Sequence, residues 1–395
     1  MLLLKRIGIQ HFVCQNRKNH LFLLVEVKMK LAIDRMNLLR PLSHINSVVE
    51  RRNTIPILSN VVLRAVSEKL SLTATDMDMD IITTTPCSIS SEGATTIPAH
   101  LLFEIVKKLQ EGAEVQFHVA DGHAHISAGR SSFNLPTLPI EDFPAINSSD
   151  MPVSFSITTP DLKNLIDTTK FAVSMEETRY YLNGIYLHFS DTTNLTAVAT
   201  DGHRLALSQM KPPSGSEIMP AIIIPRKAVS ELRKLLDDEP QEVEVKLSET
   251  RAEFSVGDVR LTTKLIDGTF PEYKRVIPKG NDKIISVSVN LLSAAVDRVS
   301  TIASDKSRAI KLNIENNQLV LSATNPDASS ATESLEISYD GDSIDIGFNA
   351  KYLMDILTQI KGETIAIELI DPGSPSLLRD PEDEANIFVL MPMRV

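Results

Sequence analysis

Three returns of one short string limit the architecture of this chain before any composition is counted. Thr73-Ala74-Thr75-Asp76 recurs as Ala197-Val198-Ala199-Thr200-Asp201 and again as Leu321-Ser322-Ala323-Thr324-Asn325. The alanines at 74, 199 and 323 stand 125 and 124 residues apart. Self-similarity at a fixed period marks a unit duplicated along the chain. A second anchor agrees: Ile97-Pro98-Ala99-His100-Leu101-Leu102-Phe103-Glu104-Ile105 returns as Ile224-Pro225-Arg226-Lys227-Ala228-Val229-Ser230-Glu231-Leu232 and as Phe348-Asn349-Ala350-Lys351-Tyr352-Leu353-Met354-Asp355-Ile356. Ile105, Leu232 and Ile356 then correspond, at steps of 127 and 124. Three tandem copies of one domain are predicted, over 29–148, 149–280 and 281–395.

Each copy has about 120 residues, enough to bury a core of its own. Each opens on an alternating strand, Lys30-Leu31-Ala32-Ile33, Ser154-Phe155-Ser156-Ile157 or Ser286-Val287-Ser288-Val289, followed by a helical segment. Paired strands follow, as in Asn60 to Val66 with Lys69 to Ala74. A second helix is expected to start near Pro98, Pro225 and Asn349, with Leu102, Ile105, Val106 and Leu109 as its apolar stripe. The fold class is α+β: three tandem copies of one domain, each with helices on one face of antiparallel sheets. Linkers are expected at Pro144 to Pro152 and Pro278 to Lys283.

Cys14 and Cys87 make no metal-binding or disulfide pattern, which fits a reducing cytoplasm and predicts no metal and no cofactor. No apolar run reaches membrane-spanning length, so no membrane partner is expected. Residues 1–28 are interrupted by Lys5, Arg6, Arg17, Lys18 and His20 and read as an extension, disordered or not native, ahead of the true start near Met29.

A net charge of −11 ordinarily argues against nucleic acid. Distribution matters more than the total. Segments read as helical hold Arg35, Arg40, Arg51, Arg52, Lys107, Lys108, Lys163, Lys170, Arg226, Lys227, Arg233, Lys234, Arg298, Lys306, Arg308 and Lys351. Acids crowd at Asp76, Asp78 and Asp80, at Asp237-Asp238-Glu239, and at Asp380 to Glu384. If the helices of all copies face one way, the chain has a basic face suited to a polyanion; taken singly, each cation also fits a solvated helix face.

Thr54-Ile55-Pro56-Ile57-Leu58, Arg179-Tyr180-Tyr181-Leu182-Asn183-Gly184, Ala199-Thr200-Asp201-Gly202-His203-Arg204-Leu205-Ala206, Phe270-Pro271-Glu272-Tyr273 and Met391-Pro392-Met393-Arg394 closely resemble the family of bacterial DNA polymerase III beta subunits, the sliding clamps. The resemblance spans Met29 to Val395. It implies a non-catalytic homodimeric six-domain ring that encircles double-stranded DNA without sequence preference and tethers the replicative polymerase. Its implied partners are the DNA polymerase III alpha subunit, the clamp loader and other proteins bearing a clamp-binding motif. Carried onto this chain, a partner-peptide pocket involves Leu182, Thr200, Gly202, His203, Arg204, Leu205, Pro271, Arg275, Val276, Val389, Leu390, Met391, Pro392, Met393 and Arg394. The implied DNA contacts are Arg52, Arg130, Tyr181, Arg226 and Lys227, and the implied dimer contacts set Phe133 and Leu135 against Ile302 and Ala303. The chain departs from the family in ending at Val395, where leucine is common, and in the acidic segment Asp380 to Glu384.

Two other readings compete. An enzyme built on Asp201, His203 and Arg204 would use a histidine beside a carboxylate, but nucleophile, phosphate-loop and metal-ligand motifs are missing. A purely structural repeat protein would have no nucleic-acid role.

Overall fold

The helices of this chain start where a short polar side chain or a proline ends a strand. The computed structural model describes residues 29–145, 150–190, 193–237, 242–304 and 308–394; the extension 1–28 with Cys14, and Asp238, Glu239, Lys306 and Val395, lie outside them. Among the described residues there are six α-helices: α1 (Arg35–Val48), α2 (Ala99–Lys108), α3 (Thr159–Lys170), α4 (Arg226–Leu235), α5 (Val289–Ser300) and α6 (Ala350–Leu357).

The first helix of each repeat is capped by a side chain. Asp34 accepts from Met36 N and Asn37 N, Thr158 from Asp161 N, and Ser288 from Leu291 N. Such caps satisfy backbone donors that have no partner within the helix. The second helices follow Pro98, Pro225 and Asn349, each the last residue of a strand. The prolines therefore stand at the cap position, one residue ahead of the first turn, where a missing N–H costs nothing. Asn349 caps α6 by accepting from Lys351 N and Tyr352 N.

The recurring tetrapeptide has a structural cause: it closes a hairpin. Asp76 Oδ1 accepts from Asp78 N and Met79 N, Asp201 Oδ1 from His203 N and Arg204 N, and Asn325 Oδ1 from Asp327 N and Ser329 N. A short side chain whose oxygen can reach the backbone N–H groups two to four residues on is what this turn demands. Each turn also holds one left-handed residue: Met77 at φ 79°, Gly202 at φ 88° and Ala328 at φ 63°.

The chain divides into two compact units, 1–150 with 253–263, and 151–252 with 264–395. In the first, α1 and α2 pack on each other, and one antiparallel sheet runs in the order Ser88–Ser91, Met29–Asp34, Glu114–Ala120, His123–Ala128, Ser131–Pro136. The last of these is an edge strand. Another antiparallel run joins Val259–Lys264, Met79–Pro86, Lys69–Thr75, Asn60–Val66 and Gly93–Pro98, with Val259 opposite Thr83. Arg35, at the start of α1, is 7 % exposed: its Nε donates to Val106 O at 2.9 Å and its Nη2 to Lys107 O at 2.8 Å. It caps the C-terminal end of α2 and is no part of a basic surface.

In the second unit one eight-stranded antiparallel sheet runs through two repeats, in the order Ile222–Pro225, Gly184–Ser190, Asn194–Thr200, Arg204–Met210, Asp383–Leu390, Ser376–Asp380, Thr364–Leu369, Lys283–Ser288. The join is Arg204–Met210 against Asp383–Leu390, with Arg204 opposite Leu390 and Leu205 opposite Val389. A four-stranded sheet, Ser330–Glu336, Gln318–Thr324, Ala309–Glu315, Ile344–Asn349, completes the third repeat. Gly184 is required where its strand meets Ile222–Pro225, because a Cβ there would lie 2.3 Å from Ile224 O.

Candidate functional site

Where the sheet crosses from the second repeat to the third, apolar residues of both gather. Leu182, Val198, Leu205, Leu207, Ile223, Phe270, Tyr273 and Val389 form one buried cluster, with Tyr181, Tyr186 and Ile266 packed against it. Leu182 ends a 3-10 turn over Glu177–Leu182, Leu205 and Val389 face each other across the sheet join, and Tyr273 starts a second 3-10 turn. Tyr186 stacks on Phe270 at 4.7 Å between centroids and 8° between planes. Burial holds the Tyr186 phenol above its ordinary pKa, with the Glu272 carboxylate adding to the rise.

The residues around this cluster are mixed in character and in exposure. Pro271 precedes the second 3-10 turn, Arg275 ends it and Val276 follows it; Tyr273 N donates to Pro271 O and Val276 N to Tyr273 O. On another side lies the turn Thr200-Asp201-Gly202-His203-Arg204. Thr200 Oγ1 accepts from Gly202 N and donates to Arg204 O. Met391 N donates to His203 O at 2.9 Å, and Met393 N to Gly347 O at 2.8 Å, so the C-terminal segment is held by one backbone bond to the turn and by another to the strand Ile344–Asn349. Met391 and Val276 are exposed, Pro392 and Met393 half-buried, Arg394 exposed and Leu390 fully buried. Of the fifteen residues named from the sequence for a partner pocket, Leu182, Arg204, Leu205, Val389 and Leu390 are buried, and the other ten are half-buried or exposed.

Sequence reading missed the residues that hold Arg204. Its Nε pairs with Asp201 Oδ2 at 3.1 Å, its Nη1 with Asp355 Oδ2 at 2.5 Å, and its Nη2 donates to Phe171 O at 2.6 Å. The guanidinium carbon lies 4.3 Å from the Tyr352 ring centroid and 5.1 Å from that of Phe171. The His203 ring stacks on Tyr352 at 6.2 Å and 23°. Burial, then the Asp201 carboxylate, raises the Tyr352 phenol above its ordinary pKa. A buried arginine implies an acid partner, but no local spacing points from 204 to 355. With both Asp201 oxygens committed to the turn and to Arg204, that carboxylate is not left to orient His203 as a base. Among the described residues, no group of three or more His, Cys, Asp or Glu side chains converges to hold a metal ion.

The positive charge is arranged differently from the sequence expectation. Arg51 and Arg52 lie beyond the end of α1, and Arg308 precedes a strand, so none is helical. Several helix-borne cations are tied to acids: Lys163 to Asp237 at 2.9 Å, Arg233 to Asp167 at 2.7 Å and to Asp237 at 2.5 Å, Lys170 to Asp167, Lys234 to Glu231 at 2.7 Å, and Arg298 to Glu333 at 2.5 Å. Burial alone would raise the Asp167 carboxyl, but hydrogen bonds from Arg233 and Lys170 outweigh it and hold it low. Hydrogen bonds from Lys163 and Arg233 pull Asp237 down to about 2.

Of the residues named for DNA, Arg52, Arg130 and Arg226 are exposed and Lys227 is half-buried. Arg226 N donates to Asn183 O at 2.9 Å, which sets the start of α4 beside the turn that carries Tyr181. Tyr181 itself packs on the apolar cluster and meets Tyr180 edge-on at 5.7 Å. Of the dimer residues, half-buried Phe133 and buried Leu135 lie on the edge strand Ser131–Pro136, and half-buried Ile302 and Ala303 follow α5. A polar cleft of about 460 Å³, lined by Gln110, Glu111, Glu114, Gln116 and Ser127 among others, includes no residue named from the sequence.

The described domains match known proteins along almost the whole chain. The family described as DNA polymerase III beta subunit matches as its N-terminal domain over 29–147, its central domain over 156–272 and its C-terminal domain over 274–394. A beta sliding clamp of Caulobacter vibrioides is 48 % identical over 372 residues, covering 93 % of this chain and 100 % of the relative. That of Escherichia coli K12 is 38 % identical over 371 residues, with the same coverage. Among solved structures, a DNA polymerase III subunit beta from Bartonella birtlesii bound to griselimycin superposes with a TM-score of 0.91 at 46 % identity, covering 93 % of this chain and 100 % of that one.

Proposed function

Because the chain belongs to the DNA polymerase III beta subunit family, we propose that it works as a sliding clamp: a homodimeric ring that encircles duplex DNA and tethers the replicative polymerase for processive synthesis. It is a processivity subunit and catalyses no reaction. Family membership from residue 29 to residue 394, combined with the threefold repeat, carries this reading. Three domains of similar shape per chain, meeting head to tail, close into a ring when the rotation per unit fits.

Within that ring each repeat, 29–148, 149–280 and 281–395, acts as one clamp domain. Arg52, Arg130, Tyr181, Arg226 and Lys227 touch phosphates and sugars, contacts that position DNA without reading its sequence and so allow sliding. The edge strand with Phe133 and Leu135 meets the segment with Ile302 and Ala303 of a second copy, since an edge strand is a template for a further strand. Partner peptides from the polymerase alpha subunit, the clamp loader and other clamp-binding proteins seat on the cluster of Leu182, Leu205 and Val389. The rim methionines Met391 and Met393 adapt to varied apolar side chains. The protein acts in the cytoplasm, where chromosomal DNA lies.

The decisive experiment is retention on nicked circular DNA after loading by a cognate clamp loader, followed by linearisation and a high-salt wash. Salt-resistant retention that vanishes on cutting is expected. Equal, salt-sensitive binding to circle and linear DNA refutes the ring.

A further inference from the structure

Arg204 is among the residues expected to contact a partner peptide, yet it is 8 % exposed and its guanidinium is already spent. Two carboxylates, Asp201 and Asp355, and one carbonyl, Phe171 O, take its three nitrogens. No charge is left over for an acidic group on a client. Asp355 stands on α6 three residues after Tyr352, and this spacing puts both side chains on one helix face. That face therefore delivers an acid to Arg204 and a ring beneath both Arg204 and His203.

The two repeats meet here at side-chain level as well as through the sheet. Asp201 and Arg204 belong to the turn of the second repeat, and Asp355 and Tyr352 to the last helix of the third. We propose that Arg204 and Asp355 are positioning residues: a strut that fixes the His203 turn against α6 so that the floor and rim of the partner site keep one geometry before a peptide arrives. The surface offered to the client on this side is then apolar and aromatic, made by His203, Tyr352 and Met391. The inference rests on the partner-site reading given above. Physically it is preorganisation: a turn held in its bound form does not pay ordering entropy when the ligand binds.

The test uses the full-length dimer and a fluorescently labelled peptide copying the clamp-binding segment of the cognate polymerase alpha subunit. Asp355→Asn keeps the shape and removes the charge; it is expected to weaken the peptide about tenfold, within the usual span of coupling between linked sites, mainly through faster dissociation. Asp355→Glu, which keeps the charge, is expected to recover most of the affinity. In a double-mutant cycle with His203→Ala, the Asp355→Asn loss is expected to shrink to less than about twofold, because contacting groups are non-additive. Additive losses, an Asp355→Glu variant as weak as Asp355→Asn, or unchanged affinity in Asp355→Asn beside a real loss in His203→Ala each overturn the strut while leaving the partner site standing. Normal affinity in both His203→Ala and a chain lacking Met391 to Val395 overturns the partner site and the strut together.

Discussion

Replacing Arg35 by methionine separates a structural cation from a phosphate-binding one. Arg35 stands in a helix that the sequence suggests is part of a basic face, yet its side chain is buried and bonded to Val106 O and Lys107 O. Two hydrogen bonds from a charged donor contribute about 1.5 kcal/mol each at the lower end of the usual range. The cation at the C-terminal end of α2 adds about 0.5 kcal/mol. Methionine keeps most of the apolar stem packed, so little packing is lost besides. The expected loss is therefore about 3.5 kcal/mol, and with a urea slope of about 2 kcal/mol per molar the midpoint of the first unit falls by about 1.7 M. The assay is urea unfolding followed by the fluorescence of a probe placed in that unit, together with the salt dependence of direct DNA binding at low ionic strength. Arg35→Met is expected to lower the midpoint and leave the salt slope unchanged. An Arg52, Arg226 and Lys227 triple alanine variant is expected to do the reverse, with the slope shallower by about 0.9 for each phosphate no longer neutralised. An Arg35→Met variant with an unchanged midpoint and a shallower slope would refute the assignment.

Two smaller predictions concern the second repeat. Gly202→Ala is expected to cost about 1 kcal/mol, the strain of a left-handed alanine, measured as a urea midpoint shift; the Cβ would meet Arg179 Nη1 at 2.8 Å, but that is the mobile end of a long side chain. A cost above about 3 kcal/mol would mean the turn is tighter than its counterparts, which carry Met77 and Ala328 at similar φ. The Asp237 carboxyl, held at about 2, lies below its ordinary value, so its pairing with Lys163 and Arg233 contributes stability that is full above about pH 4 and lost as pH falls toward 2. Asp237→Asn is expected to flatten the stability curve between pH 4 and 2 and to change nothing in shape above it; an unchanged acid limb would show that the pair does not act in solution.

Much of the fold is legible in the chain because the signals are local. The caps at Asp34, Thr158 and Ser288 act on donors two or three residues away, and the tetrapeptide turns are closed by their own Asp76, Asp201 and Asn325. The floor of the site is legible only in part. Leu182 and Leu205 stand in strings that resemble a known family, whereas Phe171, Tyr352 and Asp355 carry no pattern that points toward Arg204.

By itself the sequence determined the number of repeats, the helix starts, the hairpin turns and the family, because each is set by spacing or by residues within a few bonds of one another. Only the tertiary structure decided which cations are spent. Arg35, Arg204, Arg233 and Arg298 read alike with Arg52 and Arg226 as positive side chains, but the first four are bonded to carbonyls or carboxylates, several of them supplied from far along the chain. A charge pattern counts residues, whereas the field at a surface depends on which of them have already found an acid, and that pairing is made by packing across 35 to 151 residues of sequence.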